Sequence, residues 1–203
     1  MGIAVESMAI ELPAVKGHPN RVGFRGVLTT VDAASDRPPA GARGHRVLLT
    51  RGAAEAAIPS LLGMGLDYAP AFDRHDVRRK VGVITRAEIV GHRIEVGGFL
   101  YARDFPEIVD EIRAAKASAQ AQTAPAHEAR WPGTRAKRPG ASQRSERDAR
   151  SRTGLGMSYE IADAQVDDLK STVWVLTRVT FTGAAILRRE KAAYQGTWVE
   201  LSE

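Results

Sequence analysis

Ser158 lies in the run Gly154-Leu155-Gly156-Met157-Ser158-Tyr159-Glu160-Ile161, with two glycines before it that let a second backbone approach closely. A serine hydroxyl is a poor nucleophile at neutral pH. It needs a base within hydrogen-bond reach and backbone donors for the oxyanion that forms when it attacks a carbonyl. Of the five histidines, His75 in Phe72-Asp73-Arg74-His75-Asp76 is the best candidate base, because two carboxylates flank it and could orient the ring or raise its basicity. Asp76 is one candidate for an orienting acid. Glu160 shares a strand face with Ser158 at a spacing of roughly 6–7 Å. The plain alternatives are a structural serine in a strand and a histidine in a solvated loop. His18, His45, His92 and His127 are weaker: His92 falls in a hairpin turn and His127 in a segment without apolar pattern, while His45 begins a strand.

Much other chemistry is excluded or unsupported. With no cysteine among 203 residues there are no disulfides, thiolate nucleophiles or thiolate metal sites. A reducing, intracellular setting fits that composition most simply. No His and carboxylate spacing suggests a metal, and no glycine-rich phosphate loop joins a strand to a helix, so neither metal nor cofactor is expected. No apolar run approaches the ~20 residues that span a bilayer, and Met1 to Glu6 do not read as a signal peptide. The length suits one ordinary core.

The net charge of +5 is unevenly spread. Ten basic residues between Arg113 and Arg152 face only Glu128, Glu146 and Asp148, so that segment carries +7 and the remainder is near neutral. From 117 to 152 the chain is Ala, Gln, Ser, Pro, Gly and Arg with the single aromatic Trp131. Such a composition buries too little apolar area to offset the entropy of ordering, which predicts a disordered basic linker inserted into the domain. Arg130 to Arg152 could contact nucleic acid non-specifically through phosphates, but lacks the aromatic series that stacks on bases.

The elements that must position Ser158 and His75 follow from periodicity. Met8 to Leu12 reads as a strand within an N-terminal segment, 1–21; Val22 to Val31 and His45 to Thr50 also read as strands. Ala53 to Leu62 has a helical period, with Pro59 ending or kinking it. Lys80 to Val90 and Arg93 to Tyr101 form a hairpin about Gly91-His92. Asp104 with Glu107 predicts a capping box, opening a helix that buries Ile108, Ile112 and Ala115. Thr172 to Phe181 reads as a strong strand, Ala184 to Tyr194 as a helix, and Trp198 to Leu201 as a terminal strand. The fold class is therefore α+β and mostly β, with residues 22–116 and 153–203 making one domain.

Taken in order, these features resemble the tailed-phage prohead serine proteases, the capsid maturation proteases related to herpesvirus assemblin. The resemblance is carried by His75-Asp76, the hairpin from Val81 to Tyr101, the helix from Asp104 to Ala115, Gly156-Met157-Ser158-Tyr159 and Val179-Thr180-Phe181. Where that family usually has an acidic residue before the last triplet, this chain has Val175. The resemblance implies an assemblin-like closed or partly closed β-barrel flanked by a few helices. It implies a serine endopeptidase with Ser158 as nucleophile and His75 as general base, Asp76 or Glu160 taking the place of the third member. Capsid or scaffold precursors, and the chain itself, would be its substrates inside assembling proheads in the bacterial cytoplasm, with homo-oligomers among its partners and no membrane. Two other readings stand beside it: a non-catalytic protein of the same fold acting in capsid assembly, and a nucleic-acid-binding accessory protein using the linker.

Overall fold

The computed structural model describes residues 7–10, 17–121 and 154–202. Nine strands among these residues join one strongly curled, half-barrel sheet, accompanied by two α-helices. The strands are β1 (Ser7–Ala9), β2 (Val22–Thr30), β3 (Arg46–Leu49), β4 (Gly65–Asp67), β5 (Lys80–Val90), β6 (Arg93–Leu100), β7 (Leu155–Val166), β8 (Val173–Arg188) and β9 (Trp198–Leu201). They run in the order β3-β8-β4-β5-β6-β2-β9, with β1 added to β5 and β7 to β8. The helices are α1 (Arg51–Ala57) and α2 (Pro106–Ala121). No helix among the described residues is long and apolar enough to cross a membrane.

The organising strand is β8. Its first part pairs in parallel with β3 (Leu48↔Val175), its last part pairs in parallel with β4 (Leu66↔Ala184), and β7 runs antiparallel along its other edge. The inner face is apolar: Phe24, Leu28, Leu49, Leu66, Ile84, Ile94, Leu100, Met157, Phe181 and Ile186 are all buried there. Met157 brings β7 across the interior to β2. A Cβ on Gly26 would stand 2.7 Å from the Met157 sulfur and 2.5 Å from the Trp198 carbonyl oxygen, so only glycine permits that approach. Beside it, Tyr194 donates from its hydroxyl to the Val47 carbonyl at 3.0 Å. Burial pushes the Tyr159 and Tyr194 hydroxyls up from their ordinary values, so both remain protonated donors in the core.

Most predicted elements form, and the exceptions have local causes. Thr50 caps α1 through its side chain, and Pro59 converts the rest of that helix into a 3-10 turn over Ile58–Leu61. The predicted capping box on Asp104 does not form. Pro106 occupies the first turn, where proline's fixed φ and missing N–H are suited. The Asp104 carboxylate then accepts from the Asn20 amide at 2.7 Å, and Glu107 accepts from Tyr68. The helix predicted over Ala184 to Tyr194 is a strand as far as Arg188. Gly183-Ala184-Ala185-Ile186-Leu187 looks helical by propensity, but neighbours on both edges bury it without a break, and pairing outweighs propensity. At its other end α2 continues to Ala121, past the point where the linker was expected to start. The remainder of the basic linker, His127, and Leu12 of the first strand lie outside the described residues.

Candidate active site

Strand register brings the site together. Leu66, Ala184 and Tyr159 form one row across β4, β8 and β7, and Leu66 and Ala184 are fully buried on the inner face. Because side chains alternate along a strand, the next row must face the opposite way. That row is Lys80–Asp67–Ala185–Ser158, crossing β5, β4, β8 and β7. Glu160 follows two residues after Ser158 and faces the same side, opposite Gly183, before β7 shifts register at Ile161. A Cβ on Gly183 would come within 2.7 Å of Glu160 Oε2, so the glycine makes the space that this carboxylate occupies.

His75 is laid over this outer face by the loop between β4 and β5. Its Nδ1 lies 3.5 Å from Asp67 Oδ1 and 3.8 Å from Glu160 Oε1, and its side chain is only 14% exposed. Those two carboxylates flank Ala185 and Gly183, small residues of β8 that leave room for an imidazole above them. Both ring nitrogens are buried, and neither makes a hydrogen bond among the described residues. With strands ~4.8 Å apart, Asp67 and Ser158 stand roughly 10 Å apart across Ala185, a gap an imidazole bridges when its two nitrogens face opposite sides.

The loop that carries His75 is fixed at both ends. Phe72 has φ +52, a left-handed conformation that costs a bulky residue about 1–2 kcal/mol. Its amide donates to the Ala69 carbonyl at 2.7 Å, its carbonyl accepts from the Arg188 amide at 2.7 Å, and its ring packs on Tyr68 at 5.1 Å between centroids. Backbone strain held this firmly beside a histidine is commonly part of a functional site. On the other side, Arg79 lies over the Tyr68 ring and donates to both the Tyr68 hydroxyl and Glu107 of α2. Burial first, then the hydrogen bond to Glu107, pushes the Tyr68 hydroxyl up to about 12, so it stays a donor. Helix α2 therefore clamps the chain immediately before Lys80.

Asp67 was not singled out in the sequence. It is completely buried, and its oxygens are held by the Asp76 amide (3.2 Å to Oδ1) and by Lys80 Nζ (3.0 Å to Oδ2) besides the His75 contact. Burial acts to push this carboxyl up. The His75 and Lys80 partners outweigh it and hold the group below its ordinary value, as a carboxylate. The only signal available beforehand was an aspartate inside the apolar run Leu66-Asp67-Tyr68-Ala69, where a charge needs a partner.

The other sequence candidates fall as follows. Asp76 turns its carboxylate to the Arg78 amide at 3.1 Å, and gives the site its own N–H instead. Glu160 reaches His75, as its strand face allowed. Val175 pairs with Leu48, ten residues before Ala185 along β8, or up to about 33 Å away along the strand. An acid there would not reach His75. Phe181, from the Val-Thr-Phe triplet, packs edge-on against Tyr159 at 5.4 Å and so supports β7 from the core side. His45 stacks on Trp174 at 4.6 Å and His18 accepts from the Asn20 amide, both in structural roles away from Ser158. His92 is exposed beside Asp32.

Two hollows flank α2, one lined by Lys116, Leu155, Arg189 and Val199 and the other by Val22, Ile112, Arg113 and Leu201. Neither includes Ser158 or His75. No family model matches the chain, and neither the curated proteins nor the solved structures include a match to it.

Proposed function

We propose that the protein is a serine endopeptidase of the prohead maturation type, with Ser158 as nucleophile and His75 as general base. The observation that carries this is the placing of His75. Its Nδ1 lies 3.5 Å from Asp67 and 3.8 Å from Glu160, carboxylates of the two strands that flank β8 on the sheet face whose row carries Ser158. A histidine oriented by acids at Nδ1, with Nε2 left to serve a hydroxyl, is the arrangement a general base requires.

In this reaction Ser158 Oγ adds to the carbonyl carbon of a peptide bond, and its proton passes to His75 Nε2. Backbone N–H groups receive the developing oxyanion. The imidazolium then returns the proton to the departing amine as the carbon–nitrogen bond breaks, leaving an ester on Ser158. Water, deprotonated by His75, hydrolyses that ester and restores the hydroxyl. No hydrogen bond joins Ser158 to His75 in the free protein, and such contacts often close only when substrate binds. Capsid or scaffold precursors as substrates follow from the family resemblance. Compartment and assembly inside proheads follow from the family resemblance alone.

The test is the intact mass of the purified full chain over time. Wild type is expected to yield fragments, and Ser158→Ala to remain whole. Fragments appearing at an equal rate in Ser158→Ala would overturn the assignment.

A further inference from the structure

We propose that Asp67 is the positioning acid for His75 and that Lys80 is its dedicated counter-ion, an assignment that rests on the serine endopeptidase reading above. Three carboxylates lie near the histidine, and burial separates them. Asp76 spends its carboxylate on the Arg78 amide. Glu160 is 3.8 Å from Nδ1 with a side chain 44% exposed, so water competes for it and screens it. Asp67 is 0% exposed and closer, at 3.5 Å. A charge so placed acts in a low effective dielectric and is not screened by solvent.

A buried carboxylate is costly unless its oxygens are satisfied, so a chain retains one only where partners compensate it. Here the compensation is specific. The Asp76 amide and His75 share Oδ1, while Lys80 holds Oδ2. With both oxygens tied, the carboxylate cannot swing away from the ring. Lys80 is placed for this by the register irregularity that sets Asp67 opposite Lys80 after Leu66 has paired with Gly82. A Cβ on Gly65 would stand 2.9 Å from the lysine stem, so that glycine leaves the path along which Lys80 reaches the aspartate.

The charged and titratable groups facing Asp67 are His75 from the loop and Lys80 from β5; those facing His75 are Asp67 from β4 and Glu160 from β7. An acid at Nδ1 selects the neutral tautomer that carries its proton there, so that Nε2 presents a lone pair to Ser158. It also stabilises the imidazolium once that proton is taken up. Asp67 thus supplies from β4 what an acid at Val175, far along β8, would not reach. Asp67 precedes the histidine in sequence because β4 leads directly into the loop that carries His75.

The experiment has two readouts on the full chain. Long-range proton–nitrogen NMR reports the tautomer of neutral His75, and the rate of Ser158 modification by a fluorophosphonate reports reactivity as a function of pH. Wild type is expected to hold the proton on Nδ1. Asp67→Asn should move it to Nε2 and slow labelling on the order of 10³–10⁴-fold, whereas Glu160→Gln should leave the tautomer in place and slow labelling less than about tenfold. In Lys80→Met the acid limb of the rate profile should shift to higher pH, because the buried carboxylate has lost a cation. If Asp67→Asn fails to fold, Asp67→Asn/Lys80→Met removes both charges together and gives the same tautomer reading. Retention of the Nδ1 proton without Asp67, or its loss in Glu160→Gln, overturns the proposal. Wild-type protein that does not label at all defeats the endopeptidase reading, and the tautomer comparison then decides Asp67 independently.

Discussion

At the residue scale, one buried charge organises the site. Asp67 is ionised below the ordinary carboxylate range, so the folded state binds its proton less readily than the unfolded chain. The stability this provides is fully present above the unfolded value of about 3.9 and is lost as pH falls through the lower folded value. Thermal melts should therefore show wild type losing stability below about pH 4 through a component that is missing from Asp67→Asn. Gly183 gives a second prediction. An added Cβ would meet Glu160 at 2.7 Å, and the contact is with the far end of a flexible side chain. Gly183→Ala should thus cost only about 1 kcal/mol in denaturant unfolding, while turning Glu160 away from His75 and reproducing the labelling rate of Glu160→Gln. His75 and Ser158 could be singled out in the sequence because their residue types limit the chemistry available. Asp67 could not, since its meaning depends on Lys80 and Ser158, which lie 13 and 91 residues further on in two other strands.

At the element scale, what was legible was whatever has a period. The hairpin of β5 and β6, the apolar stripe of α2 and the first half of β8 all follow from alternation or helical spacing. The second half of β8 did not. Its Ala and Gly residues answer to crowding from Glu160 and His75 above and β4 and β7 on either side, none of which is encoded locally. Glycines in the hairpin have the same origin. A Cβ on Gly98 would stand 1.9 Å from the Val83 carbonyl oxygen, a distance no relaxation of a side chain can relieve. Gly98→Ala should destabilise the protein by about 3 kcal/mol or more, read from the denaturant midpoint at unchanged slope.

For the whole molecule, alternation along β7 sets Ser158 on the outer face while its neighbours Met157 and Tyr159 keep the strand anchored inside. Met157 makes that anchor by reaching β2 over Gly26, and the Thr197 hydroxyl accepts from its amide at 3.2 Å. Met157→Ala should cost about 2–5 kcal/mol in stability and lower the labelling of the neighbouring serine in step with the loss of folded protein. Mostly-β character was legible from composition and alternation, whereas the crossing of β4 and β7 on opposite edges of β8 was not, because parallel pairing between distant segments leaves no local pattern. The central claim is that Ser158 is a nucleophile activated by His75, and the most direct measurement of it is covalent labelling of the folded full chain with a fluorophosphonate, mapped by peptide mass spectrometry. A single adduct on Ser158 that disappears in His75→Ala is the result predicted. Adducts spread over other serines, or an adduct on Ser158 formed equally well without His75, would contradict it.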